Sequence, residues 1–105
     1  MIPENNYVGY GERIALASHL RNMRNSMYFT QDELAKALGT KRQYVGRMES
    51  AQADPTLLTL LSISRFYKLE IIDMIPDSFF KDQEILQMIR NLYSKAASTD
   101  KLPKY

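Results

Sequence analysis

Apolar residues recur every three or four positions along much of the chain, which is the spacing of one face of an α-helix. A first stripe follows Gly11 and consists of Ile14, Ala17, Leu20, Met23 and Met27. A second follows Asp82 and consists of Ile85, Met88, Ile89 and Leu92. No alternation of apolar and polar residues extends far enough to indicate a strand, so the pattern predicts an all-α chain.

Helix-starting and helix-ending residues divide the middle of the chain into short segments. Thr30-Gln31-Asp32-Glu33 has the capping-box pattern, in which the Thr hydroxyl and the Glu carboxylate each accept the other residue's backbone N–H. The helix that begins there is expected to end at Gly39, because glycine readily adopts the left-handed conformation of a helix end. A third helix is predicted from about Arg42 to Ser50, so that two short helices flank a tight turn.

Three further helices are predicted after this turn. The fourth starts at Thr56, a suitable N-cap, and runs to about Tyr67. Its inner face is expected to carry Leu57, Leu60, Leu61 and Ser64. A brief fifth helix covers Glu70–Met74 before Pro76, and a sixth runs from Asp82 to about Ala96. Residues 1–9 and 98–105 are expected to form a flexible arm and a disordered tail.

Composition excludes several classes of function. The chain has 105 residues, no cysteine and one histidine, so thiolate chemistry and multi-histidine metal sites are excluded, and no cofactor is expected. We expect the one histidine, His19, to be exposed and inert. No apolar run is long enough to cross a membrane and the N-terminus lacks a secretory pattern, so a cytoplasmic protein is expected. The net charge is +2, and the excess of basic residues lies in residues 1–53.

The predicted pair of short helices has the spacing of a helix-turn-helix. Ala35 lies four residues before Gly39, and a small side chain there allows the second helix to cross close to the first. In a helix-turn-helix the second helix enters the major groove of DNA. No nucleophile–base set, paired carboxylates or phosphate loop suggests an enzyme.

This segment also resembles a known family. The matching positions are Thr30-Gln31-Asp32-Glu33-Leu34-Ala35, Leu38-Gly39, Val45, Glu49 and Pro55, followed by Leu57 and Leu60. They are similar to the Xre family of Cro- and λ-repressor-like DNA-binding domains, and the resemblance covers about residues 17–75. It implies a compact five-helix bundle over residues 10–76 that binds operator DNA, usually as a dimer on a palindromic site. The sixth helix lies beyond this bundle.

The resemblance assigns roles to individual residues. It implies that Gln31 contacts a phosphate and supports the recognition helix, and that Lys41 lies at the helix N-cap near a phosphate. It places Arg42, Gln43 and Arg47 at base edges. It also implies that Arg24 and Glu49 form a buried salt bridge between the first helix and the end of the third.

The chemistry of the third helix agrees with a reading role. Positions 42, 43, 46 and 47 share one face, and Arg and Gln are suited to guanine and adenine edges respectively. Gly46 disfavours a helix, but its bare backbone would allow close approach to DNA. Tyr44 has two equal interpretations, a hydroxyl contact to a phosphate or packing across the turn. A solvated basic face would be the default interpretation of Lys41, Arg42 and Arg47 outside a helix-turn-helix.

The sequence departs from the family at the ends of the third helix. Ala51 stands where the family usually has glycine, which makes a left-handed exit less favourable. Lys41 stands where Ser or Thr often caps the helix, and the loop residues Ser50, Gln52 and Ala53 are uncharged. These changes are expected to weaken the hold on phosphates.

The apolar stripe of the sixth helix predicts that residues 77–97 form a dimerisation segment. Ile85, Met88, Ile89 and Leu92 are its expected interface residues, and the competing interpretation is that this helix packs on Leu57–Leu61 of its own bundle. The leading hypothesis is a transcriptional repressor that binds double-stranded DNA as a homodimer. The alternative is an antitoxin that binds its toxin through the C-terminal segment and regulates its own operon.

Overall fold

The computed structural model describes residues 8–80 and 83–99, and within these ranges the chain forms five α-helices, two 3₁₀ helices and no strand. The helices are α1 (Tyr10–Ser26), α2 (Gln31–Leu38), α3 (Arg42–Glu49), α4 (Leu57–Tyr67) and α5 (Gln83–Thr99), with 3₁₀ helices at Ile71–Met74 and Asp77–Phe79. The all-α prediction is confirmed. The predicted fifth helix is the first 3₁₀ helix, and the predicted sixth is α5.

The predicted arm and tail fall largely outside the described residues. Of the arm, only Val8 and Gly9 are described, and both are exposed. The last helix continues to Thr99, so Ser98 and Thr99 are helical rather than part of a tail. The predicted first residue of this helix, Asp82, also lies outside the described residues.

The predicted caps define the helix ends. The Thr30 hydroxyl accepts the backbone N–H of Glu33 at 3.1 Å, and the Glu33 carboxylate accepts that of Thr30 at 2.9 Å. Gly39 ends α2 in the left-handed conformation, with φ of 67°. Thr56 caps α4 by accepting the backbone N–H of Thr59 at 3.1 Å. These local bonds fix the lengths of α2 and the start of α4, and therefore the position of α3 between them.

The core holds α3 against α1 and α2. Helix α3 packs on α1 and α2, α2 packs on α4, and α4 packs on the first 3₁₀ helix. The central side chains of the core are Leu20, Leu34, Ala35, Val45, Met48, Leu60, Ile63, Tyr67 and Met74. Val45 and Met48 bring α3 into this core, and this burial of apolar surface fixes which face of α3 remains outside.

Some expected inner residues are exposed. Ile14 and Leu57 face solvent, with exposed fractions of 39% and 67%. The prediction that His19 is exposed is wrong. His19 is half-buried, and its Nε2 lies 2.6 Å from the backbone oxygen of Asp73 in the first 3₁₀ helix. Because a carbonyl oxygen only accepts, Nε2 is the protonated nitrogen.

Helix α5 docks through a side that the apolar stripe did not predict. Leu86 is 3% exposed, and an Arg90 guanidinium nitrogen lies 2.8 Å from an Asp77 carboxylate oxygen. Helix α5 packs here on the second 3₁₀ helix. The proposed docking site on α4 is not covered by the described part of α5, since Leu57 and Leu58 are largely exposed.

Candidate nucleic-acid interface

Helix α3 has one buried face and one exposed basic face. Val45, Met48 and Glu49 are buried, whereas Lys41, Arg42, Gln43 and Arg47 are exposed. A shallow groove runs along the exposed side and is lined by Gly39, Thr40, Lys41, Gln43, Tyr44, Gly46, Arg47, Ser50 and Gln52. Between residues 39 and 53 the only acidic residue is the buried Glu49, so the exposed surface of this segment is positively charged.

A buried ion pair fastens the end of α3 to α1. Arg24 donates to both carboxylate oxygens of Glu49, from Nε at 2.8 Å and from Nη2 at 2.9 Å. The same guanidinium donates from Nη1 to the backbone oxygen of Phe29 at 2.8 Å, in the turn before α2. The hydrogen bond to Glu49 raises the pKa of Arg24 above its ordinary value, against the opposing effect of burial. One side chain therefore joins α1, the turn and α3.

Gln31 extends this network to the exposed face of α3. Its Nε2 donates to Glu49 Oε1 at 3.1 Å, and a Cβ added at Gly46 would lie 3.8 Å from its Oε1. Because a carboxylate only accepts, the amide of Gln31 must turn its nitrogen toward Glu49. The first residue of α2 is thus held in one orientation beside the middle of α3.

Tyr44 lies at the boundary between this surface and the core. Its ring is half-buried against the core residues and lines a small cavity with Leu38 and Leu58. The half-buried position of the Tyr44 ring agrees with the interpretation that it packs across the turn. A contact between its hydroxyl and a phosphate stays a prediction.

Both departures from the family pattern have structural consequences. Lys41 occupies the N-cap of α3 and, within the described residues, makes no side-chain cap bond. Ala51 adopts φ of 63°, the left-handed conformation that glycine usually supplies. The backbone N–H groups of Gln52 and Ala53 both bond the carbonyl of Arg47, at 2.8 and 3.1 Å, and these bonds stabilise the turn. The end of α3 therefore has the expected shape despite the unfavourable residue.

The sequence did not predict two features of this surface. The Ser50 hydroxyl donates to the Gly46 carbonyl at 2.9 Å and so satisfies one of the last carbonyls of α3. Thr40 and Gln52 also line the groove. A serine four residues after a helical glycine was the available signal for the Ser50 bond.

The site consists of two short helices joined at a left-handed glycine, and the second helix packs on the core with its basic face exposed. This arrangement defines a helix-turn-helix of the DNA-binding class. Consistent with this, a helix-turn-helix family model matches residues 20–73, about half of the chain. The chain belongs to the Xre-like helix-turn-helix family and is a transcriptional regulator of that type. Proteins of this family and fold are not enzymes.

Individual relatives agree with this assignment. An uncharacterized helix-turn-helix-type transcriptional regulator from Archaeoglobus fulgidus is 29% identical over 70 residues, which are 67% of this chain and 96% of that protein. The crystal structure of the restriction-modification controller protein C.AhdI from Aeromonas hydrophila matches with a TM-score of 0.59 and 26% identity. That match covers 63% of this chain and 96% of C.AhdI.

A second solved structure supports the fold. The hypothetical transcription factor NHTF from Neisseria matches with a TM-score of 0.57 and 23% identity, over 73% of this chain and 84% of that protein.

In the part of the chain that the structure describes, no helix has the length and apolar character needed to span a bilayer.

Proposed function

We propose that the protein is a cytoplasmic repressor that binds a palindromic operator as a homodimer and recognises bases with α3. The observation that carries this proposal is the exposed face of α3, where Arg42, Gln43 and Arg47 surround Gly46. The opposite face of the helix is packed into the core and holds it in place. Rigid placement favours base recognition, because the side chains need little reorganisation before they contact DNA.

The side chains of this face divide into two roles. Arg42 and Arg47 are suited to bidentate bonds with guanine O6 and N7, and Gln43 to adenine N6 and N7. We assign to Lys41, at the start of α3, and to Gln31, at the start of α2, contacts with phosphates that position the domain. The contacts with bases determine specificity, whereas the contacts with phosphates contribute affinity that depends on the salt concentration.

One domain contacts too few base pairs to specify an operator. Dimerisation would double the length of the binding site. Two recognition helices read successive major grooves when they lie about 34 Å apart. The stripe of α5 supports this assembly, since Ile85, Met88, Ile89 and Leu92 are 53%, 60%, 40% and 61% exposed while Leu86 anchors the helix. These four residues form the interface that we propose.

Binding-site selection from random DNA tests base recognition. Arg42→Ala and Gln43→Ala are expected each to relax base preference at one position of the half-site, by about 1–3 kcal/mol per lost bidentate contact. Lys41→Ala is expected to weaken binding uniformly and to reduce the salt dependence by about one counterion. Arg21→Ala, an exposed arginine of α1, is the matched control for loss of charge.

Unchanged base preference in both the Arg42 and Gln43 variants would show that α3 is not the recognition helix. Loss of base preference in the Arg21 variant would show that charge alone determines the result.

Sedimentation of interface variants tests the dimer. Met88→Lys places a charge in the stripe and is expected to produce monomers with much weaker operator affinity. Ser94→Lys places the same charge on an exposed position of α5 outside the stripe and is expected to leave the dimer intact. Truncation after Pro76 is expected to give a folded monomer. Dimers that persist in the Met88 variant and after truncation would remove α5 from the interface.

The antitoxin alternative gains no support from the three relatives described above, which are named as a transcriptional regulator, a controller protein and a transcription factor. Co-purification of a second chain with the native protein would reopen it.

A further inference from the structure

The loop that follows α3 returns the chain to the groove on the exposed side of that helix. Ala51 adopts the left-handed conformation, with φ of 63°, and so ends the helix in a tight turn. The backbone N–H groups of Gln52 and Ala53 then bond the carbonyl oxygen of Arg47, at 2.8 and 3.1 Å. Gln52 is therefore tied through its own backbone to the last turn of α3.

The side chain of Gln52 is exposed and lines the same groove as Gln43 and Arg47. Those two residues are four positions apart and share one face of α3. Within the part of the chain that the structure describes, the amide of Gln52 makes no hydrogen bond. Its donor and its acceptor are thus both available to a molecule that enters the groove.

We propose that Gln52 reads a base and extends sequence recognition beyond the end of α3 into the following loop. The inference rests on the proposed function, because it takes the groove along α3 as the surface that meets the major groove of DNA. A glutamine amide presents an acceptor and a donor side by side, and these match the N6 amino group and N7 of adenine. Adenine is therefore the base that we assign to Gln52.

The uncharged character of this loop favours a base over a phosphate as the partner of Gln52. The residues from Ser50 to Ala53 carry no charged side chain. Binding to phosphates gains much of its free energy from the counterions that a cationic side chain releases, and a neutral amide releases none. A phosphate oxygen only accepts, so it satisfies the donor of the amide and leaves the acceptor unused. The edge of adenine satisfies both.

The position of Gln52 predicts which base pair it contacts. Gln43 and Arg47 are separated by about 6 Å along the axis of α3, or roughly two base-pair steps. Gln52 is bonded to the Arg47 carbonyl and shares the groove with its side chain. The base pair read by Gln52 is therefore a neighbour of the one that Arg47 contacts.

Binding-site selection from random DNA with the full-length protein tests this assignment. Gln52→Ala should lose a preference of about tenfold for adenine at one position of the half-site, while the preferences set by α3 stay as in the native protein. The salt dependence of the affinity should not change, because the amide releases no counterion. Gln87→Ala, which removes an exposed glutamine of α5, is the matched control and should select the native site.

Gln52→Arg supplies a readout that loss of a structural contact would not give. Arginine is suited to guanine, so the base selected at the same position should change from adenine to guanine. Fluorescence anisotropy with the two operators should then show that each protein binds its own operator about tenfold more tightly than the other.

A phosphate contact gives a different result. In that case Gln52→Ala would weaken binding to all sequences equally, and Gln52→Arg would strengthen it equally with a steeper salt dependence. Either outcome, or native base preference in both variants, would overturn the inference. If the Arg42 and Gln43 variants still changed base preference, the proposed function would survive. A native protein that selects no preferred sequence would refute both.

Discussion

The ion pair between Arg24 and Glu49 allows a demanding test of how the recognition helix is held. Replacing Arg24 with methionine keeps much of the side-chain volume and removes the three hydrogen bonds that the guanidinium makes to Glu49 and Phe29. The Glu49 side chain is only 3% exposed, so its carboxylate cannot regain water without local opening. After the substitution the structure leaves it one side-chain donor, Gln31 at 3.1 Å.

The size of the effect follows from this geometry. Breaking a buried ion pair on one side typically lowers the free energy of unfolding by about 3–5 kcal/mol, because the remaining charge is uncompensated. The Phe29 carbonyl also loses its donor, which adds about 1 kcal/mol. For a domain of this size the total is a large fraction of the stability, which is typically about 5–15 kcal/mol. We expect Arg24→Met to lower the urea midpoint by about 2–3 M, for an m-value near 2 kcal/mol/M.

The double variant Arg24→Met with Glu49→Leu completes the thermodynamic cycle in the same urea melts. Without the carboxylate there is no buried charge to compensate, so the second change should restore part of the lost stability. The loss at the Phe29 carbonyl should remain. Strictly additive effects of the two changes would refute the view that the pair is a coupled buried bridge.

Three further changes test local features. Gly46→Ala should raise the free energy of unfolding by about 1 kcal/mol in a denaturant melt, because the added Cβ makes only an ordinary contact with Gln31 and glycine disfavours a helix. The affinity of this variant for the operator should nevertheless fall. Unchanged affinity would argue against close approach of the Gly46 backbone to DNA. Ala51→Gly should stabilise the fold by about 0.5–1 kcal/mol by relieving a positive φ, whereas Ala37→Gly in α2 should destabilise it in the same assay. Glu33→Gln should lower stability at neutral pH and flatten its acid dependence, measured by urea melts from pH 3 to 7.

The sign of the Glu33 prediction follows from its cap. The hydrogen bonds with Thr30 lower the pKa of Glu33 below its ordinary value of 4.5 in the folded protein. A carboxyl group with a lowered folded pKa stabilises the fold above its unfolded pKa, and this contribution disappears as the pH falls through the folded value. The native protein should therefore converge with the Gln variant in acid, and a constant difference between them would contradict the cap's role.

The elements that the sequence predicted well are those defined by local hydrogen bonds. Thr30, Glu33 and Thr56 form the expected caps, and Gly39 ends α2 as predicted, because each of these interactions joins residues only a few positions apart. Local patterns therefore located the helix-turn-helix to within a residue. They also identified the exposed positions of α3, since its buried and exposed faces follow the helical period.

Interactions between distant residues could not be predicted in the same way. The partner of His19 is a carbonyl 54 residues away, and a polar context around His19 gave no sign of it. Tyr67 is buried, which raises its pKa to about 12, and within the described residues its hydroxyl has no hydrogen-bond partner. In α5 the largest apolar stripe is exposed and one leucine, Leu86, makes the buried contact. Periodicity shows that a face is apolar but not what covers it.

Glu49 links the stability of the domain to the arrangement of its DNA-binding face. Its Oε1 accepts both from Nη2 of Arg24 in α1 and from Nε2 of Gln31 in α2, so a single buried anion orients both side chains. The double variant separates these roles. Leucine at position 49 can restore packing, but it offers no acceptor for Gln31, whose amide then loses its fixed orientation beside Gly46. We therefore expect the double variant to recover part of the lost stability without recovering operator affinity, as measured by fluorescence anisotropy at a temperature where both proteins are folded. Recovery of both together would show that Gln31 contributes to binding without being oriented by Glu49.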